Sequence, residues 1–135
     1  MDIGDNFIAL WISFNAWMKS KFGEGATDSA MIDSVSRLDD FKTTFSQLKA
    51  QADFRNKLAE LEGFTVVDMR DQDNRTKFKE YIGTFESLMS ILYLIRCNLF
   101  HGRKNIDDDK NDLKLVCLAY YILLPLFKKH IGYQS

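Results

Sequence analysis

From Phe7 the chain places large apolar side chains at helical spacing: Phe7, Trp11, Phe14 and Met18 fall in line, with Ile8 and Ile12 beside them. That period predicts a helix from about Asp5 to Phe22, stopped by Gly23. The run GEGATDS reads as a loop, and Thr27 or Asp28 can cap the next helix, which carries Met31 and Val35. Asp39 or Asp40 restarts a helix through Phe41, Phe45 and Leu48; Phe54, Leu58 and Leu61 continue or follow it, ending near Gly63. FTVVDM is short and apolar and is expected to be a connector rather than a lone strand.

Asp73 or Asn74 is expected to open a long helix. Its buried stripe would run Phe78, Tyr81, Ile82, Phe85, Leu88, Met89, Leu92 and Ile95, and Gly102 would end it. A loop, RKNIDDDKN, separates it from a last helix over about Asp109 to His130. Asp107 to Asp109 sit where carboxylates complement the dipole of that helix. Leu115, Leu118, Ile122 and Leu126 make it apolar on most faces, so it is expected in the middle of the fold, with Pro125 placed to kink its last turns. The pattern as a whole predicts an all-α protein, an up-and-down helical bundle of about four to six helices.

Composition narrows this further. A chain of 135 residues with one proline and seven glycines has few breakers, which favours long helices over a many-turned β fold, and its length suggests one domain over residues 1–135. A net charge of −1 excludes a uniformly basic surface, so any nucleic-acid role must come from a local site. Cys97 and Cys117 lie far apart in apolar helical contexts, without metal-ligand spacing, and read as reduced, buried side chains. MDIGDNFIALW lacks the basic region of a signal peptide, and the run Leu115 to Phe127 is shorter than the ~20 residues that span a bilayer. A cytoplasmic protein without membrane, metal or cofactor is therefore expected.

The segment LIRCNLFHGRK, Leu94 to Lys104, is unlike its surroundings. It puts Arg96, Asn98 and His101 at the end of a greasy helix. Arg96 and His101 are separated by about 140° around a helix, whereas Asn98 and His101 share a face. A histidine in a last turn feels the helix's partial negative charge and titrates near neutrality. Arg96 offers a permanent charge and a planar fork suited to phosphate oxygens. Position alone favours a helix cap at His101 and a solvated or salt-bridged arginine at Arg96.

The arrangement of Arg96, four intervening residues and His101 at the end of one long helix, followed by another, resembles the HEPN family (higher eukaryotes and prokaryotes nucleotide-binding). IRCNLFHGRK is similar to the motif segment of its prokaryotic ApeA-like defence and toxin members, and FIALWISFNAWM resembles their first helix. The resemblance implies a metal-independent endoribonuclease with Arg96 and His101 in the active site, completed across a homodimer. The family often has a polar residue directly after the Arg; here that place holds Cys97, and Asn98, one step on, matches the second Asn of the Arg-Asn-Asn form.

Chemistry then sets roles. RNA supplies its own nucleophile, the 2′-hydroxyl. His101 would transfer a proton, Arg96 would stabilise charge on the non-bridging oxygens, and Asn98 would orient the ring or hold the phosphate, giving a 2′,3′-cyclic phosphate and a 5′-hydroxyl. One histidine is thin for both acid and base, so two copies meeting around the long and last helices are expected. Arg103 and Lys104 would guide the strand, and Asn15 would position Arg96 or His101 unless it only bonds backbone or a neighbouring helix. Trp11 and Trp17 read as core, and Lys128, Lys129 and His130 as a basic helix end complementing the dipole. A toxin or antiviral effector of this kind would need an antitoxin or sensor protein to restrain it. The alternatives are a non-catalytic HEPN module binding a nucleotide or partner protein, and a purely structural bundle.

Overall fold

The computed structural model describes residues 2–68, 78–102 and 110–132, the side chains of residues 101, 102 and 110–112 excepted. It is mostly helical, with six helices among the described residues: α1 Ile3–Phe22, α2 Asp28–Ser36, α3 Asp39–Lys49, α4 Ala52–Glu62, α5 Phe85–Gly102 and α6 Lys110–His130. A two-residue antiparallel ladder, β1 Val66–Val67 with β2 Phe78–Lys79, lies between α4 and α5.

Local chemistry accounts for the ends. The Asp2 carboxylate accepts from the Asp5 amide at 2.8 Å, which starts α1 two residues earlier than the apolar period alone suggests. Gly23 closes it with φ 104°, a conformation that costs glycine little. Of the two candidate caps before α2, Thr27 is the one used: its hydroxyl accepts from the Ala30 amide at 3.2 Å. That leaves Asp28 as the first residue of the helix, free to point elsewhere.

α5 departs from expectation. The anticipated start at Asp73 or Asn74 lies outside the described residues, but Phe78 and Lys79 are strand, not helix, and α5 begins only at Phe85. Phe78 and Ile82, expected in the buried stripe, are 57% and 72% exposed. The reason is a local stop signal inside an apolar run. Gly83 adopts φ 95°, which a helix cannot contain, and the Thr84 hydroxyl then caps α5 by accepting from the Ser87 amide at 3.1 Å. FTVVDM is likewise more than a connector, since Val66 and Val67 pair with Lys79 and Phe78.

The expected central place of the last helix holds. α6 packs on α1, α3, α4 and α5, and its Val116, Ala119, Ile122, Leu123 and Leu126 are buried. It runs through Pro125; the ring costs the Tyr121 carbonyl its helical partner, and Tyr121 is exposed, so water can replace it. Where α1, α3 and α6 meet, Phe14, Trp17, Phe41 and Phe127 pack edge to face at 5.3–6.3 Å, apart from the stacked Phe14–Trp17 pair. Trp11 and Trp17 thus belong to the core, as expected.

Lys128, Lys129 and His130 form the basic last turn of α6 as expected. The His130 ring packs as well: it stacks on Phe41 at 4.0 Å and meets Trp17 edge-on at 5.3 Å. Burial pushes its pKa below the ordinary 6.5, against a raising pull from Asp40 and with a lowering push from Lys21. Cys97 is buried, Cys117 half-buried, and neither is in a disulfide. Among the described residues no helix is long and apolar enough to cross a membrane, and no group of three His, Cys, Asp or Glu could hold a metal.

Candidate functional site

α5 carries leucine and isoleucine inward along nearly its whole length, with Ile91, Leu92, Leu94, Ile95 and Leu99 buried. Arg96 sits among them and is still 27% exposed at its side chain, so it emerges at the edge of the core. Three neighbours fix it. Its guanidinium lies over the Phe100 ring, 4.5 Å from the centroid, one helical turn on. Its Nη1 reaches the Cys97 sulfur at 4.0 Å, and its Nη2 faces Asp28 Oδ2 at 3.7 Å. Its Nε is buried and finds no hydrogen-bond partner among the described residues.

Asp28 does not act alone. Its other oxygen, Oδ1, accepts from Asn15 Nδ2 at 2.9 Å. Asn15 on α1, Asp28 on α2 and Arg96 on α5 therefore form one polar chain across three helices. Asn15 reaches the arginine only through the carboxylate. This is the neighbouring-helix bond given as the alternative for Asn15.

Asn98, expected on phosphate or imidazole, makes a bond to the hairpin. Its Nδ2 donates to the Val67 carbonyl at 2.7 Å, which ties β1 to α5. Lys79 Nζ makes a second tie from β2, to Ser90 Oγ at 2.5 Å. Cys97, in the position after the arginine, is 5% exposed and touches the guanidinium by its sulfur. His101 is the penultimate residue of α5, and nothing of its side chain is described; Arg103 and Lys104 lie outside the described residues. Arg96 and His101 are five positions apart on α5, about 140° around its axis.

Beside this cluster a groove of about 430 Å³ runs between α2 and α5, lined in part by Ser29, Ile32, Arg37, Lys79, Ser90 and Tyr93. Ser29 adjoins Asp28, and Tyr93 lies one turn before Arg96. Arg37 is paired with Asp33 at 3.1 Å, and the Glu86 carboxylate at the far end is held by Lys42 at 2.9 Å, a bond that lowers its pKa. The groove therefore has balanced charge, in keeping with the chain's net −1.

Sequence reading missed two members of the site. Phe100 was visible in principle, four residues after Arg96 on one helix face. Asp28 carried no such signal, because a carboxylate before a short helix reads as a cap. No family model, curated protein or solved structure matches the chain.

Proposed function

We propose that the protein is a metal-independent endoribonuclease of HEPN type, in which Arg96 binds and polarises the scissile phosphate and His101 moves the proton. The observation that carries this reading is the state of Arg96. It is a guanidinium at the rim of an apolar core, braced on an aromatic face, 27% exposed, with a long contact to one carboxylate oxygen. An arginine serving stability alone would spend its fork on a bidentate carboxylate. This one makes a single long carboxylate contact and keeps a second N–H on each Nη, as an oxyanion site requires.

The divergence of Arg96 and His101 around α5 supports a site shared by two copies. Arg96 of one protomer would act with His101 of the other, around a two-fold axis near α5 and α6. Arg96 would stabilise charge on the non-bridging oxygens as the 2′-hydroxyl attacks. His101 would take or return the proton, and a 2′,3′-cyclic phosphate and a 5′-hydroxyl would result. Asn98 would hold the hairpin beside the site, and Arg103 and Lys104 would steer the strand. Such an enzyme fits a toxin or antiviral effector in the cytoplasm, restrained by an antitoxin or sensor protein.

The test is cleavage of structured and unstructured RNA in chelator by the wild type, Arg96→Ala and His101→Ala. Activity should fall about 10²–10³-fold in each variant. Mixing the two inactive variants should restore part of it, because a mixed dimer regains one site with both residues. Equal cleavage by all three proteins would mark a contaminant. Cys97 in the family's polar position favours one second reading, a non-catalytic module; a bound nucleotide or partner protein without cleavage would establish it.

A further inference from the structure

The Asn15–Asp28–Arg96 chain has a feature that simple charge pairing does not explain. A carboxylate facing an arginine ordinarily offers both oxygens to the fork. Here Asp28 gives Oδ1 to Asn15 at 2.9 Å and leaves only Oδ2 for Arg96, at 3.7 Å. The carboxylate is fixed from its backbone too, because Thr27 caps the helix whose first residue is Asp28. Its direction is thus set by α1 and α2 together. Arg96 is steered at Nη2 and supported from below by Phe100, while Nη1 and Nη2 each keep a second N–H beyond their contacts with Cys97 and Asp28.

We propose that Asp28, clamped by Asn15, is a positioning residue for Arg96: it orients the guanidinium and leaves its other donors open for a phosphodiester. This rests on the reading of Arg96 as the phosphate-binding group. The consequence is a split in kinetics. Asp28 repels the incoming phosphate slightly while it aims the group that stabilises the transition state. Its loss should therefore leave substrate binding unchanged or tighter and slow the chemical step. Misaiming of about 1 Å can cost up to about 10²-fold.

Two measurements on the full chain test this. The first is nitrogen-15 NMR of the Arg96 guanidinium in wild type, Asp28→Asn and Asn15→Ala. A held fork gives separate Nη signals, and a freely rotating one gives averaged signals. Separate signals in the wild type that merge in both variants are expected. The second is cleavage kinetics of the same proteins with Asp28→Glu added. We expect kcat to fall about 10- to 100-fold in Asp28→Asn with KM equal or lower. Asn15→Ala should lose less, the double variant no more than Asp28→Asn, and Asp28→Glu should not recover, because its longer arm misaims the charge. Averaged signals in the wild type, or separate signals kept in Asp28→Asn, overturn the proposal, as does an unchanged kcat in that variant. A wild type with clamped signals and no cleavage instead removes the ribonuclease reading and leaves the orienting role of Asp28 standing.

Discussion

Asn98 gives the sharpest separation between a chemical and a mechanical role. Its Nδ2 donates to the Val67 carbonyl at 2.7 Å, across 31 positions of sequence. Asn98→Ala deletes that bond. A net hydrogen bond is worth about 0.5–1.5 kcal/mol, and a carbonyl left unsatisfied costs more. Val67 is 37% exposed, so water can reach its carbonyl, and the expected loss is about 1 kcal/mol. For a chain of this length that lowers Tm by about 3–4 °C. Asn98→Asp is the stronger perturbation, since it sets an acceptor against an acceptor and should cost about 1–3 kcal/mol. Denaturant unfolding measures both losses, and hydrogen exchange locates them. The amides of Val66–Val67 and Phe78–Lys79 should lose protection ahead of the α6 core. Cleavage by Asn98→Ala should fall less than about tenfold, against 10²–10³-fold for Arg96→Ala. Unchanged stability and unchanged hairpin protection in Asn98→Ala would refute the tether. A loss of cleavage equal to that of Arg96→Ala, in a protein with intact hairpin protection, would return Asn98 to the chemistry.

Stability should decline as pH falls below about 6.5, because burial depresses the His130 pKa and the unfolded chain then binds more protons. The slope is at most about 1.4 kcal/mol per pH unit and smaller at a half-buried ring; it should vanish in His130→Phe between pH 7 and 5, as read by denaturant midpoints. A second, weaker decline below pH 4.5 should follow as Glu86, whose pKa its hydrogen bond to Lys42 depresses, takes up a proton, and Lys42→Met should remove it. Phe41→Ala should cost about 3–5 kcal/mol, since Phe41 is fully buried between Phe14, Trp17, Phe85 and His130; a loss under 1 kcal/mol in calorimetry would contradict that packing. Thr27→Ala should cost about 1 kcal/mol through the α2 cap and loosen Asp28, whereas Thr27→Ser should be nearly silent.

Most helices were legible because each has a local signal that its tertiary setting does not override. Phe7, Trp11, Phe14 and Met18 are all buried on α1, and Gly23 stops it where the period predicts. α3 starts at Asp39 and α4 gives way at Gly63. The failures fall where an apolar run hides a boundary. From Phe78 to Ile95 the side chains keep a helical period, yet Gly83 and Thr84 break it, and Phe78 and Ile82 face outward. The stacking of His130 on Phe41 was missed for the opposite reason: two lysines beside it suggested a charged end, and only the approach of α3 gives its half-buried ring an aromatic partner.

The candidate site divides along the same line. Arg96 stood out because a permanent charge in a leucine-rich helix must have a partner or a purpose, and that inference needs only one segment. Cys97 and Phe100 brace Arg96 from its own segment, but the carboxylate that faces it comes from another helix. Asn15 and Asp28 are 13 positions apart, and Asp28 and Arg96 lie on helices that pack together and whose buried apolar residues, Ile32, Val35, Ile91 and Leu94 among them, signal no chemistry. A carboxylate that reads locally as the start of a short helix becomes an orienting group only when α2 lies against α5. The apolar packing between those two helices therefore fixes the direction of the charge. A cavity made there, as by Ile32→Ala, should cost about 2–5 kcal/mol of stability and also raise the mobility of the Arg96 guanidinium. A variant that loses the stability but keeps separate Nη signals would show that the aim of Arg96 is set within α5 alone, by Cys97 and Phe100.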